Sequence, residues 1–531
     1  MANTLNVGNG DWATKENSLL GYNSENGNYK PLPFDFTRAS NGTFVNKSGL
    51  IETAANGVPR IDFLGNTKGA LLLEPQRSNL ITQSEAFGNS YWTKSGASIQ
   101  GNPSTAVSEL LTNGSFTGSA TGWTLGAGWS YGTNNLTVSS STANLSQSGI
   151  VLVNKLYLVS YEISGYVSGS VNSNLGGIVT GRLGNSNEIV SEYIYTSSVV
   201  NDIFYITANS FTGSIDNVSV KEVQGFTSPS GDTNAFKLVE DTSTGLHKLQ
   251  KTSINVSVGS VFCSYFVKKA ERSKVLIELG GGGGGYATFN LDLGTVIVES
   301  NVNAKIELIS NGWYRCSVSY VTSATSIYSG VYLTNDLGVQ SYQGDGTSGL
   351  YVYGAQVEQG SYATSLINTQ GSAVTRVQDV CNNGGNDQVI NSTEGVLYWE
   401  ASALADDGTD RRIALSDGTL NNYVSIGYSR FSGNIIAEMI SGGVIQTSDW
   451  GATGISQTNN NKFAMSWGSG TMKFYINGVQ KQTASVTSPI GMNNLRFSSG
   501  NGFLIMFSNT KDLKVYNTAL TDAELIALTQ V

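Results

Sequence analysis

The chain has 531 residues, 13% of them charged, 63 glycines and a formal net charge of −9 at pH 7. That length exceeds what one hydrophobic core serves, so three or four domains are expected, and the 39% hydrophobic content fills several small cores and speaks against disorder. The acidic balance, with no run of Lys or Arg, argues against binding to nucleic acid or an anionic membrane, which takes basic patches.

Three cysteines, Cys263, Cys316 and Cys381, are too few and odd in number for a disulfide framework. No apolar run approaches the roughly 20 residues of a membrane helix, so no membrane insertion is expected. The opening MANTLNVGNGDW has neither a basic start nor an apolar stretch, so no secretory signal is expected and synthesis is placed in a reducing cytoplasm.

Residues 1–36 read as an Asn/Gly-rich arm with Trp12, Tyr22 and Tyr29 as anchors, and 37–83 as a compact connector holding Arg38, Arg60 and Arg77 among turns. The next segment, SEAFGNSYWTKSGASIQGNPSTAVS (84–108), begins a module and stops short; its continuation, SPSGDTNAFKLVEDTSTG, starts only at Ser228. Between them lies a stretch with its own opening, LLTNGSFTGSATGWTLGAGWSYG, and its own closing strand, GSIDNVSVKEV. The chain therefore reads as a discontinuous sandwich, 84–108 with 225–379, enclosing an inserted module, 109–224.

Helical patterning is nearly absent, and apolar residues alternate with period two. Val261, Cys263, Tyr265 and Val267 share one strand face, as do Tyr314, Cys316, Val318 and Tyr320. The glycine run 280–285 lacks the Gly-Lys-Ser/Thr of a phosphate-binding loop and reads as a hairpin tip. A Gly/Asn-rich break at 381–386 leads to the last domain, 387–531. There Asn477-Gly478 signals a two-residue hairpin. Thr521 and Glu524 make a capping box for a closing helix with Leu525, Ile526 and Leu528 on its apolar face. The fold class expected is all-β, multidomain, built of antiparallel β-sandwiches of jelly-roll type, one inserted in another.

Several of these segments resemble a module of tailed-bacteriophage virion proteins, in particular fibre, receptor-binding and head-decoration proteins. The carriers are FTRASNGTFVNKSGLIETAANGVPRIDF (36–63), GALLLEPQRSNLITQSEAF (69–87), YWTKSG (91–96), AFKLVEDTSTGLH (235–247), YFVKKAERS (265–273), NGWYRCSVSY (311–320), LYVYGAQVEQGSYATSLINT (350–369) and AVTRVQD (373–379). The interruption after Ser108 departs from that pattern. The insert resembles a carbohydrate-binding jelly roll through NGSFTG (113–118), Gly122-Trp123 and its strand 215–220. The last domain resembles the laminin-G/concanavalin-like lectin fold through GVLYWEASAL (395–404), MKFYINGVQ (472–480) and LKVYNTALTDAELIAL (513–528). The resemblance implies a non-enzymatic fibre or spike on the virion surface, homotrimeric, docked to other virion proteins by its N-terminal arm and binding host-surface or mucus glycans. A purely structural head-decoration or baseplate role, or a glycan-cleaving depolymerase, are the alternatives.

Sugar recognition takes aromatic faces for C–H stacking and amides or carboxylates for hydroxyls. Trp123, Trp129 and Tyr131, clustered among glycines, are the expected stacking platform or else core residues, and Trp450 in TSDWGATG is a second candidate. Trp313, Trp399 and Trp467 lie in alternating strands and are expected in cores. Asp406, Asp407 and Asp410 form an acidic turn that can ligate Ca²⁺ or be neutralised by Arg411 and Arg412; no other cofactor is expected. The single histidine, His247, has no nucleophile motif beside it, so no catalytic residues are assigned. Arg38, Arg60, Arg77 and Arg376 are expected to be structural forks bonding carbonyls or carboxylates between connector and sandwich.

Overall fold

The computed structural model describes residues 2–29, 31–153, 155–180, 182–196, 199–431, 433–449 and 454–531. Among these the strand pairings are antiparallel, and the regular helices are one 3-10 turn, Pro103–Thr105, and one α-helix, Asp522–Thr529. The all-β expectation holds. No helix of the described residues is long and apolar enough to cross a membrane.

The discontinuous sandwich is present as two six-stranded sheets. One runs Thr93–Ser95, Lys248–Asn255, Ser326–Leu333, Lys274–Gly280, Gly285–Asn290, Thr295–Ser300; the other runs Ala97–Gln100, Phe236–Glu240, Gly349–Gln359, Gly259–Lys269, Trp313–Thr322, Asn303–Leu308. Alternation places the residues. Val261, Cys263, Tyr265 and Val267 pair with Tyr320, Val318, Cys316 and Tyr314, and these face the core between the sheets. Phe262, Ser264, Phe266, Arg315, Ser317 and Ser319 consequently face away from it.

Each sheet takes one strand from before the insert. Thr93 pairs with Gln250, and Ala97 with Glu240. The insert leaves through a two-stranded neck in which the Asn102, Val107 and Leu110 amides donate to the Gln224, Glu222 and Val220 carbonyls at 2.9, 3.0 and 3.0 Å. The boundary therefore lies near residue 102 rather than 108. The insert has its own core around two twenty-residue strands, Leu156–Leu175 and Phe204–Val223. It is seated on its host: Leu156 and Val223 belong to the host core, and a Cβ on Gly88 would lie 2.6 Å from that of Tyr195.

The last domain is also a sandwich, but it is not closed by 387–531 alone. One sheet runs Val479–Ser485, Thr471–Ile476, Asn461–Gly468, Gly395–Ala403, Ser508–Tyr516. The free edge of Ser508–Tyr516 is taken by two segments from the start of the chain: Leu5–Gly8, with Leu5 opposite Val515, and Ala70–Leu73, with Leu71 opposite Thr510. The facing sheet, Val444–Asp449 through Asn494–Arg496, continues by a Gly384–Leu495 bridge towards Val380–Asn382 and Phe34–Thr37. Leu5, Val7, Leu19, Phe34 and Phe36 are all buried in this core. The described residues of this segment are thus built into the terminal sandwich, which corrects the expectation of a separate arm. The periods Leu5/Val7 and Phe34/Phe36 are strand periods whose partners lie some 500 and 345 residues away. The connector is not a separate body either, since Arg60–Asp62 and Ala70–Leu73 extend the terminal sheet while the hairpin Gly42–Val45/Ile51–Ala54 packs on the host through Val45 and Ile51.

The joint between these parts is a buried ionic network. Asp379 takes Arg38 at 3.1 Å and Arg60 at 2.5 Å; Glu74 takes Arg60 at 2.6 Å and Arg376 at 2.9 Å. Arg38 also donates to the carbonyls of Ser40, Ala54, Ala55 and Val58. Three of the four expected arginine forks are therefore found. Arg77 instead stacks on Tyr362, with 5.3 Å to the ring centre.

Local signals also hold. Asn477 and Gly478 have φ of 50° and 79°, as a type I′ turn requires, and Thr521 and Glu524 form the reciprocal cap. Leu525 is buried but Ile526 is exposed, so the helix face is narrower than expected. Trp313, Trp399 and Trp467 are core residues.

Candidate functional site

The expected stacking platform is not one. Trp123 and Trp129 are buried in the insert's core, 8% and 6% exposed, against Phe116, Phe204 and Phe211. Their indole N–H groups are bonded to backbone carbonyls, Trp129 to Ala143 at 2.8 Å and Trp123 to Thr112 and Asn113 at 3.2 Å. Only Tyr131 of that cluster is exposed. Trp450 lies outside the described residues. The acidic turn is likewise corrected as a metal site. Asp407 is held in a two-pronged pair by Arg411 at 2.7 Å, Asp410 by Arg412 at 3.0 Å, and Asp406 accepts from the Gly433 amide. A guanidinium on a carboxylate occupies the lone pairs a cation would use, and no cluster of three metal-ligating side chains occurs among the described residues. His247 is buried, with its two ring nitrogens against the carbonyls of Gly96 and Tyr342.

A concavity lies where three parts of the molecule meet. A cleft of about 540 Å³ is bounded by the connector hairpin, by the outward face of the host sheet and by residues 402–406 and Asn509 of the terminal sandwich. That volume lies in the roughly 300–1,000 Å³ range of small-molecule sites, which favour such junctions. Its walls are apolar where Phe44, Leu64, Phe262, Phe266, Ile309 and Leu366 line it.

The polar groups on those walls differ in how they are satisfied. Asp62 accepts from the Val45 and Leu64 amides at 2.7 and 3.3 Å, and burial raises its carboxyl to about 6 against those bonds. Glu74 belongs to the ionic joint. Glu307 is paired with Lys305 at 2.7 Å. Arg315, by contrast, is 7% exposed and has no carboxylate within ion-pair distance among the described residues. Its Nε and Nη2 share one hydroxyl, Ser264 Oγ, at 3.1 and 3.0 Å, and the guanidinium lies 5.9 and 5.5 Å from the ring centres of Phe262 and Phe266. Burial lowers its pKa from the usual arginine value. Tyr362 Oη and Asn509 Oδ1, also on the lining, are buried without a hydrogen-bond partner; burial pushes the Tyr362 phenol up to about 12.

A second recess, of about 240 Å³, lies in the terminal sandwich over Arg412, Tyr423 and Glu438, rimmed by Leu420, Asn501 and Phe503. Its floor is self-satisfied, since Glu438 accepts from Arg412 at 2.9 Å, from Ser448 at 3.2 Å and from the Tyr423 hydroxyl. The three-part cleft is the better site because it alone offers buried polar atoms still lacking partners.

Of these cleft residues the sequence singled out Asp406, as part of the acidic turn, but neither Arg315 nor Tyr362. The signal lay across the strand pair: Arg315 sits on the polar side of its own strand with Ser317 and Ser319, but opposite Phe266, so that face is covered and its charge needs a partner. Which partner it has cannot be read from one strand.

No protein-family model matches the chain, and neither does any curated protein. Among solved structures, the CBM40 module of the Ruminococcus gnavus IT-sialidase bound to α2,3-sialyllactose matches at 16% identity and a TM-score of 0.24, covering 27% of this chain and 86% of that one. The CBM22-1–CBM22-2 tandem of Paenibacillus barcinonensis Xyn10C matches at 12% identity and a TM-score of 0.18, over 48% and 99%. The LG1-3 region of the laminin α2 chain matches at 9% identity and a TM-score of 0.13, over 72% and 96%.

Proposed function

We propose that this chain is a non-enzymatic surface protein of a tailed-phage virion, a fibre or spike, that binds host-surface or mucus glycans. The assignment to a virion rests on the resemblance of segments within 36–96 and 235–379. The observation that carries glycan binding is the three-part cleft: apolar walls for the carbohydrate C–H faces, beside buried donors and acceptors without partners for hydroxyls. Single glycan sites of this size are weak, and copies gathered on one particle, as homotrimers or otherwise, raise the effective concentration.

The test is a glycan array and titration with the purified chain, with Phe44→Ala and Tyr362→Ala alongside. Binding that these variants weaken at least about fivefold, or ~1 kcal/mol, supports the cleft. Silence across bacterial and mucin glycans favours the second reading, a head-decoration or baseplate protein contacting only other virion proteins. The burial of Trp123 and Trp129, which removes the insert's stacking platform, is what favours that reading. New reducing ends after incubation with host polysaccharide would overturn the non-enzymatic assignment. Immunolabelling of intact particles tests virion location.

A further inference from the structure

Resting on the glycan-binding reading, we infer that the cleft is selective for an acidic sugar, a pyranose bearing a carboxylate, with Arg315 as the carboxylate's partner. A buried guanidinium carries a desolvation cost that proteins offset with a carboxylate or a full set of carbonyls. Arg38, Arg60 and Arg376 of this chain are offset in that way. Arg315 is not. Its neighbour across the strand pair, Glu307, is bonded to Lys305, and Glu358, on the same face, is occupied by the amide and hydroxyl of Thr364 at 3.1 and 2.5 Å. Two of its nitrogens share one hydroxyl, and no hydrogen bond from Nη1 is made to the described residues.

The other carboxylates on the lining have partners as well: Asp62 has two amides, Glu74 two arginines, Asp406 the Gly433 amide. Among the described residues the lining therefore holds one guanidinium without a carboxylate in ion-pair distance and two residues, Tyr362 and Asn509, whose Oη and Oδ1 are buried without a hydrogen-bond partner. A carboxylate accepts from the planar guanidinium, ring hydroxyls pair with the phenol and amide once these turn to the cleft, and the C–H faces lie on the half-buried Phe44 and Ile309. A bare carboxylate would use only the first of these groups, and a neutral sugar only the others.

The test titrates the full chain with D-glucuronate, D-glucose and acetate by saturation-transfer NMR and calorimetry. Glucuronate should bind at least about tenfold more tightly than glucose or acetate. Arg315→Gln should reduce glucuronate to the level of glucose, and Tyr362→Phe should weaken it severalfold, each with an unchanged circular-dichroism spectrum. Should Arg315→Gln fail to fold, Tyr362→Phe and Asn509→Ala carry the test, and full affinity in both would overturn the inference. Equal binding of glucuronate and glucose, or a folded Arg315→Gln that keeps the preference, overturns acid selectivity and leaves glycan binding standing. Equal binding of acetate and glucuronate overturns the sugar part. If no sugar in the array or these titrations binds, both readings fall.

Discussion

Glu74 shows what single residues contribute to the joint between the parts. Burial alone would raise its carboxyl, but Arg376, Arg60 and Ser365 outweigh burial and hold it at about 2, below the ordinary 4.5. A carboxylate depressed in the folded state stabilises above its unfolded pKa, and that stability is lost as pH falls from about 4.5 towards 2. Glu74→Gln should therefore cost about 3–5 kcal/mol near neutrality by leaving Arg376 without a carboxylate and Arg60 with Asp379 alone. In denaturant titrations at pH 7, 5 and 3, the gap between wild type and variant should narrow at the lowest pH; a constant gap would count against the ionic assignment. The same scale separates the insert's aromatics. Trp129→Ala should cost about 3–5 kcal/mol through a core cavity, whereas Tyr131→Ala should stay within about 0.5 kcal/mol, both read by melting. Their sequence context is the same run of glycines and small polar residues. Burial was not legible there because the phenylalanines that cover the tryptophans, Phe204 and Phe211, come from a strand some 80 residues on.

At the scale of elements, what was legible was local. The Asn477-Gly478 turn and the Thr521 cap are each written in a few adjacent residues, and both formed as read. Leu5–Gly8 is the opposite case. Its alternation marks a strand, but nothing near it says that the partner is Ser508–Tyr516. An edge strand left without a cover exposes unpaired backbone and the apolar residues beneath it. Leu5→Ala should cost about 2–5 kcal/mol, and removal of residues 2–8 should make 387–531 sensitive to limited proteolysis while the insert stays resistant. Equal resistance in the truncated chain would mean that the terminal sandwich closes without its first strand. The arginine forks stand between these cases. Their residue type announced buried pairing, but Arg315 shows that type alone does not say whether the partner lies in the chain or in a ligand.

For the whole molecule, the question is whether the insert is a passenger or a structural part. The interruption itself was legible, since the broken module and its continuation could be read on either side, and Thr93–Ser95 and Ala97–Gln100 do rejoin strands from beyond residue 235. The exact cut was not, because residues 102–110 bond to 220–224 in a neck shared by both cores, Val223 facing the host and Val220 the insert. Joining Ser108 directly to Gly225 would force that neck to fold back on itself. Joining Asn102 to Gln224 through an Asn-Gly turn bridges two residues already adjacent, the Asn102 amide donating to the Gln224 carbonyl at 2.9 Å. The insert also covers part of its host, as Leu156, Tyr193 and Tyr195 pack on the host core near Gly88 and Gly101. Its removal trades that cover for exposed apolar surface. The shortened chain should therefore fold with its remaining strand content intact by circular dichroism, melt a few degrees lower and bind an apolar dye more than the full chain does. The three-part cleft takes no residue from the insert, so glucuronate should bind the shortened chain with the affinity of the intact one. Loss of that binding in a folded deletion would place the recognition surface back in 109–224.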